Sequence, residues 1–271
     1  MKNSALKNVG PQHRVLTPNE WDSATEGRCA LAIMTKAPRA GQVKTRLTPP
    51  LTPEEAAAIN ICFLRDTATA IAQAGHDAQE IACYTPTGAE KAYRDILPRN
   101  FHLIAQRSGS LEKRLVQVTQ DLFSVGFGSV CLIASDSPTA PASVFAEAAS
   151  VLAQPDDVVV LGPSRDGGYY LIGLKEPRPE MFAGIDWSSD RVFKQTIDRA
   201  VGLKLPVHLL PPGYDVDDQA GLSQLCHELL GPDEMANPGR APATRQFLLD
   251  LIAREGRERI WPEPGLCHPS P

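Results

Sequence analysis

Short apolar runs alternate with longer segments of helical period through most of the chain. Ala30–Met34, Glu80–Tyr84, His102–Ala105, Ser129–Ala134 and Val158–Leu161 have the length and composition of buried strands. Between them, Thr52-Pro53-Glu54-Glu55 sets a capping residue before a proline and two acids, the pattern of a helix start. That helix is expected to run to Ala74 and stop at Gly75. Ser110–Phe123 and Ala142–Leu152 read as the next crossover helices, with Gly126 and Gly128 punctuating the first of them. Such alternation predicts an α/β fold with a mainly parallel sheet. After Leu161 the rhythm loosens: Tyr169–Leu174 follows a double glycine and reads as a strand of a more irregular half, where functional loops collect. Gly221–Leu230 reads as a further helix.

The periodicity divides the chain into three. Residues 1–28 show neither period and are expected to be a flexible or loosely docked extension, 29–230 form the domain, and 231–271, rich in proline and polar residues, are an appendage with one amphipathic helix near Arg245–Arg254. No internal repeat is evident. With 271 residues, 42% of them hydrophobic, the chain has enough apolar material for a real core. Its formal net charge of -5 argues against a general nucleic-acid binder, so any phosphate site must be local. The six cysteines (Cys29, Cys62, Cys83, Cys131, Cys226, Cys267) are scattered without a CxxC pair, which reads as a reduced protein. No apolar run is long enough for a signal peptide or a bilayer span, so a cytoplasmic location and no membrane partner are expected.

Four constellations carry candidate chemistry. Lys36, Arg39, Lys44 and Arg46 crowd around Gly41 in the loop between the first strand and the first helix. Four cations in one loop repel one another, and a polyanion at the carboxyl end of a strand offsets that cost. Nucleotide phosphates fit, although the loop is not a Walker motif and a solvated basic loop is the competing reading. Next, the strand ending in Ser135-Asp136-Ser137-Pro138 aims a carboxylate at the same crevice, where a hard oxygen ligand suits Mg²⁺ or Mn²⁺; a turn or N-cap aspartate is the bland alternative. In Asp166-Gly167-Gly168-Tyr169-Tyr170 the glycines permit close backbone approach to a ligand, and the same residues are a hairpin signature. Lastly, Asp215, Asp217 and Asp218 either hold a cation or complement the dipole of the helix they precede. The six histidines (His13, His76, His102, His208, His227, His268) lack metal-ligand spacing, and no Ser or Cys sits in a nucleophile-elbow context. Trp187-Ser188-Ser189 could cap a helix or line an acceptor pocket, against the simpler reading of a buried Trp.

In this order the motifs resemble a bacterial glycosyltransferase-like family, the radical-SAM/selenodomain-associated transferases, of the nucleotide-diphospho-sugar transferase (GT-A) superfamily. The matching residues are Ala32-Ile-Met-Thr-Lys-Ala-Pro-Arg-Ala-Gly41 with Lys44-Thr-Arg-Leu47, then Ser135-Asp-Ser-Pro138, Asp166-Gly-Gly-Tyr-Tyr170 and Asp215-Val-Asp217. The layout is also similar to 2-phospho-lactate guanylyltransferase and the molybdenum-cofactor guanylyltransferase. The resemblance covers about Cys29 to Leu230 and implies a single GT-A-like (Rossmann-like) domain. It further implies that Lys36, Arg39, Gly41, Lys44 and Arg46 hold nucleotide phosphates, and that Asp136, Asp217 and Asp215 hold Mg²⁺ or Mn²⁺. Asp166, Gly167, Gly168 and Tyr169 would face the second substrate, with Asp136, Lys44 and Asp166 as the catalytic residues. Sugar-nucleotide-forming relatives usually read Asp-x-Asp-Thr-x-x-Asp in the last motif; here Asp218 and Gly221 stand at the Thr and final Asp positions. The leading expectation is sugar transfer from a nucleotide-diphospho-sugar to a small-molecule acceptor. Transfer of a nucleotidyl group from an NTP to a phosphorylated or acidic metabolite, with pyrophosphate release, is the second. A non-catalytic nucleotide-binding regulatory module is the third.

Overall fold

The structure, a computed structural model, describes residues 13–75, 78–231 and 239–262. His76, Cys267 and His268 lie outside the described residues, as do 1–12 and the last part of the expected C-terminal appendage. Seven strands form one sheet: β1 (Cys29–Lys36), β2 (Ala78–Thr85), β3 (His102–Ala105), β4 (Ser129–Ala134), β5 (Val159–Pro163), β6 (Tyr169–Leu174) and β7 (Val207–Leu209). Their order is β3-β2-β1-β4-β6-β5-β7, and β6 alone runs against the rest. The α/β class and the mainly parallel mixed sheet are as the periodicity predicts. Because β6 is reversed, its first residue, Tyr169, lies at the edge where β1 and β4 end.

Helices cover both faces: α1 (Pro53–Ala72), α2 (Leu111–Ser124), α3 (Ala142–Leu152), α4 (Val192–Gly202), α5 (Gln219–Leu230), α6 (Pro242–Glu255) and α7 (Arg257–Ile260). Thr52 caps α1 through a full capping box with Glu55, as the Thr-Pro-Glu-Glu pattern requires. Alternate residues of β1 divide between two cores: Leu31 and Ile33 pack with Leu64, Ala68 and Phe145 of α1 and α3, while Ala30 and Ala32 pack with Leu115, Val118 and Leu122 of α2. Strand β7 and helix α7 have no counterpart in the sequence-based expectation, and the helix that Trp187-Ser188-Ser189 could cap is α4, whose N-cap is Arg191 with no side-chain cap. None of the described helices is long and apolar enough to cross a membrane, and the five described cysteines are buried and free.

The described parts of both terminal segments are packed in place. Leu16 is buried and its N–H donates to the Leu103 carbonyl at 2.7 Å, while the Leu103 N–H donates back to Arg14 at 2.8 Å, so 13–16 run beside β3. At the other end there are two helices rather than one, and Leu248, Leu251, Ile260 and Trp261 complete a third core with Ile59, Phe63, Leu222 and Leu225. Asp66 of α1 accepts hydrogen bonds from the N–H groups of Ala243 and Thr244 at 2.9 and 2.8 Å, capping α6 from a neighbouring helix.

Candidate functional site

The carboxyl ends of β1 and β4, the start of β6 and the segment 213–218 meet at one edge of the sheet. Backbone hydrogen bonds hold this meeting together: Val216 N–H donates to the Asp136 carbonyl at 2.9 Å, Gly213 N–H to Pro163 at 2.8 Å and Arg165 N–H to Gly213 at 3.1 Å. Asp136, Asp166 and the neighbouring pair Asp215 and Asp217, from three separate stretches of the sequence, are thereby gathered at the sheet edge.

After β1 the chain turns at Gly41, whose φ of 71° favours glycine, and places Lys44 in the left-handed region with φ 48° and ψ 38°. A lysine held there is a strained position, of the kind that clusters at ligand sites. The result is a side chain only 6% exposed whose Nζ donates to Asp136 Oδ2 and Asp217 Oδ1, each at 2.8 Å. Arg46 pairs with the other oxygen of Asp217. Burial works against the charge on Lys44 but Asp136 and Asp217 outweigh it, so the ammonium pKa is raised. In Asp217 burial is likewise outweighed, by Lys44 and then Arg46, and its pKa is lowered. Among the described residues no cation pairs with Asp215. Burial first, and then the charges of Asp136, Asp166 and Asp217, push it up to about 7 against the hydrogen bond that it accepts from Ser137.

Two cavities share this cluster as a wall. The larger, about 600 Å³, is lined by Asp136, Asp166 and Asp215 together with the apolar Leu111, Leu115 and Trp187. A smaller one, about 250 Å³, is lined by Lys36, Lys44, Arg46 and Asn60. Ser135, Asp136, Asp217 and Arg46 border both. Lys36 is exposed and donates to the Gln42 carbonyl at 3.0 Å, beside the smaller cavity.

Not every candidate residue is brought in. Arg39 is exposed and lines neither cavity, and Gly41 only shapes the turn. Gly168, Asp166 and Tyr169 line the larger cavity, and Gly168 N–H donates to Asp166 Oδ1 at 2.9 Å. Gly167 instead packs against the next loop: its φ is 88°, and a Cβ there would lie 2.2 Å from the Asp190 carbonyl oxygen. Only glycine lets the Trp187–Asp190 loop close down on the hairpin. Trp187, Ser188 and Ser189 do line the cavity. Asn60 and Asp190 were missed: Asn60 is a buried amide in an apolar helical run, and its Oδ1 has no hydrogen-bond partner. A lone Asn at that place in α1 was the available signal.

Asp136 and Asp217 bear on the metal that the resemblance implies. Two carboxylate oxygens already converge on one cation, Lys44 Nζ, so their spacing suits a small hard ion. Among the described residues no group of three acids, histidines or cysteines is arranged to hold a metal unaided. The pair fits Mg²⁺ or Mn²⁺ that keeps further oxygen ligands from water and phosphate, with Lys44 moved aside.

A family model described as "uncharacterized protein conserved in bacteria" (DUF2064) matches residues 67–189. No curated protein matches the chain. Among solved structures, a candidate nucleotide-diphospho-sugar transferase from Desulfovibrio desulfuricans G20 is 27% identical, with a TM-score of 0.74 over 85% of this chain and 98% of that one. A nucleotidyl transferase from Methanothermobacter is 11% identical, with a TM-score of 0.51 over 73% of this chain and 95% of that one, a likeness of fold.

Proposed function

We propose that the chain is a nucleotide-utilising transferase that moves a sugar from a nucleotide-diphospho-sugar to a small acceptor, with Mg²⁺ or Mn²⁺ at Asp136 and Asp217. The observation that carries this reading is the shared wall: a cation-lined cavity and an acceptor-sized cavity meet at Asp136, Asp217 and Arg46. The similarity to the Desulfovibrio protein supports it, as do the four motifs in family order. Lys36, Lys44 and Arg46 take the diphosphate, Lys as a point charge and Arg through its planar fork. Asp166, Gly168 and Tyr169 orient the acceptor. Its hydroxyl attacks the anomeric carbon, the bond from that carbon to the β-phosphate oxygen breaks, the nucleoside diphosphate leaves, and Asp166 takes the hydroxyl proton. When bound, the metal would neutralise charge developing on the departing diphosphate. Lys44 then exchanges its carboxylate partners for phosphate oxygens. A cytoplasmic setting, where nucleotide sugars are made, agrees with this chemistry.

Nucleotidyl transfer drew on four cations in the loop, which would suit a triphosphate. Arg39 stands outside both cavities, and the three that remain suit a diphosphate. A nucleotide-binding module without turnover would have no use for the acid-lined cavity beside the cations. Incubation with Mg²⁺ and panels of NTPs and nucleotide sugars separates the readings. Nucleoside diphosphate released from a nucleotide sugar is the expected product; pyrophosphate released from an NTP, or binding with neither product, overturns the proposal.

A further inference from the structure

The two cavities differ in charge as sharply as in size. The smaller faces a ligand with Lys36, Lys44 and Arg46. The larger is lined by Asp136, Asp166, Asp190, Asp215 and Asp217, against which Arg46 is the sole cation among its described lining residues. Arg46 is no free counter-charge, because it is already paired with Asp217. A divalent cation between Asp136 and Asp217 would offset those two carboxylates, leaving Asp166 and Asp190 as acids that still line the cavity. Low-dielectric walls focus such a field on whatever enters.

We infer that the larger cavity selects its acceptor by charge, taking a neutral hydroxyl compound or an amine with an apolar body and rejecting phosphorylated or carboxylate-bearing molecules. This deepens the proposed transfer reaction and rests on it for the word acceptor. The body of the ligand is set by Met34, Leu111, Leu115, Leu132 and Trp187, which give the same cavity its apolar surface. Trp187 Nε1 and Tyr169 Oη are buried there without hydrogen-bond partners, so small side-chain rotations would give a bound hydroxyl or amine both a donor and an acceptor. An anionic acceptor would lose hydration on entry and gain only repulsion.

Two measurements test this, one of them independent of turnover. In a Trp21→Phe/Trp261→Phe protein the remaining fluorescence comes from Trp187 at the cavity wall. Quenching by caesium ion should exceed quenching by iodide about sevenfold after normalisation to free tryptophan, as a potential of about one kT requires, and Asp166→Asn/Asp190→Asn should bring the ratio towards one. If Trp261→Phe weakens folding, the same ratio comes from the wild-type signal minus that of Trp187→Phe. The second measurement is transfer from an accepted donor to matched acceptors sharing one scaffold: the alcohol, the amine and the phosphate ester. The alcohol or amine should be used at least tenfold better than the ester. Equal caesium and iodide quenching, or preference for the ester, overturns the inference. No transfer to any acceptor together with strong caesium selectivity sinks the transferase reading and leaves the charge selection standing.

Discussion

Asp66 on α1 and the aspartates at the sheet edge are both drawn back from solvent, and the fold treats them oppositely. At Asp66 each carboxylate oxygen meets a backbone N–H of α6, so a buried charge finds donors supplied by the fold. Nearby Glu55 caps its own helix and pairs with Arg254 and Arg259. At the sheet edge Asp136, Asp215 and Asp217 face one another, one buried lysine and two cavities. Asp66 is raised by burial, which its hydrogen bonds from Thr244 and Ala243 only partly oppose. Asp215 is raised by burial and by other acids, up to about 7. A carboxylate satisfied by the backbone holds the fold together; carboxylates crowded against each other store a demand for a cation or a proton, which is what a ligand supplies.

Removing a carboxylate from each region should break different things. Asp136→Ala should lower turnover by about 10³-fold, roughly 4 kcal/mol in the barrier, with an unchanged or slightly higher melting temperature, measured by product formation and thermal unfolding. Unchanged turnover would remove Asp136 from the reaction. Lys44→Met strips the cluster of its cation and should cost the metal-free protein about 2–3 kcal/mol in urea unfolding, less than a fully buried pair because both acids are partly exposed. Millimolar Mg²⁺ should recover most of that loss, since it would stand where Nζ stood. If Mg²⁺ restores nothing, Asp136 and Asp217 are not a metal pair. Asp66→Ala should cost about 2 kcal/mol by stranding two buried N–H groups, insensitive to Mg²⁺ and with normal kcat/KM for the folded fraction.

The smallest effect concerns pH. Asp215 holds its proton in the folded protein up to about pH 7, while unfolded it would release it near 3.8. Between those values the folded state binds more protons, so this residue lowers stability as pH rises from about 4 to about 7. Asp215→Asn should therefore stabilise the metal-free protein by about 1–2 kcal/mol at pH 8 and by nothing at pH 4. Equal curves at both values would mean that Asp215 is not under pressure from its neighbours.

Much of this architecture was readable from periodicity. His102–Ala105, Ser129–Ala134, Tyr169–Leu174 and Ala142–Leu152 have the same bounds in the sequence reading and in the structure, because each is a continuous or sharply bounded apolar run. The span of helix α4 was not legible, since Arg191, at its N-cap, makes no side-chain cap and lysine, glutamine, aspartate and arginine interrupt its apolar positions. Strand β7 is three residues long, too short for any period. At the site, Lys44, Arg46, Asp136, Asp166, Asp215 and Asp217 were legible as motifs. Their mutual distances were not, and neither was the exclusion of Arg39. A loop's composition tells that cations are near one another, whereas which of them turn inward depends on the left-handed turn at Lys44. Asn60 needed the rotational phase of α1 against that loop.

The most direct test of the shared wall is calorimetric titration of a nucleoside diphosphate into the protein with and without Mg²⁺, for wild type, Asp136→Asn and Arg39→Ala. The account predicts Mg²⁺-dependent binding in wild type, weakened at least tenfold in Asp136→Asn and changed less than twofold in Arg39→Ala. Mg²⁺-independent binding that Asp136→Asn leaves intact would contradict it.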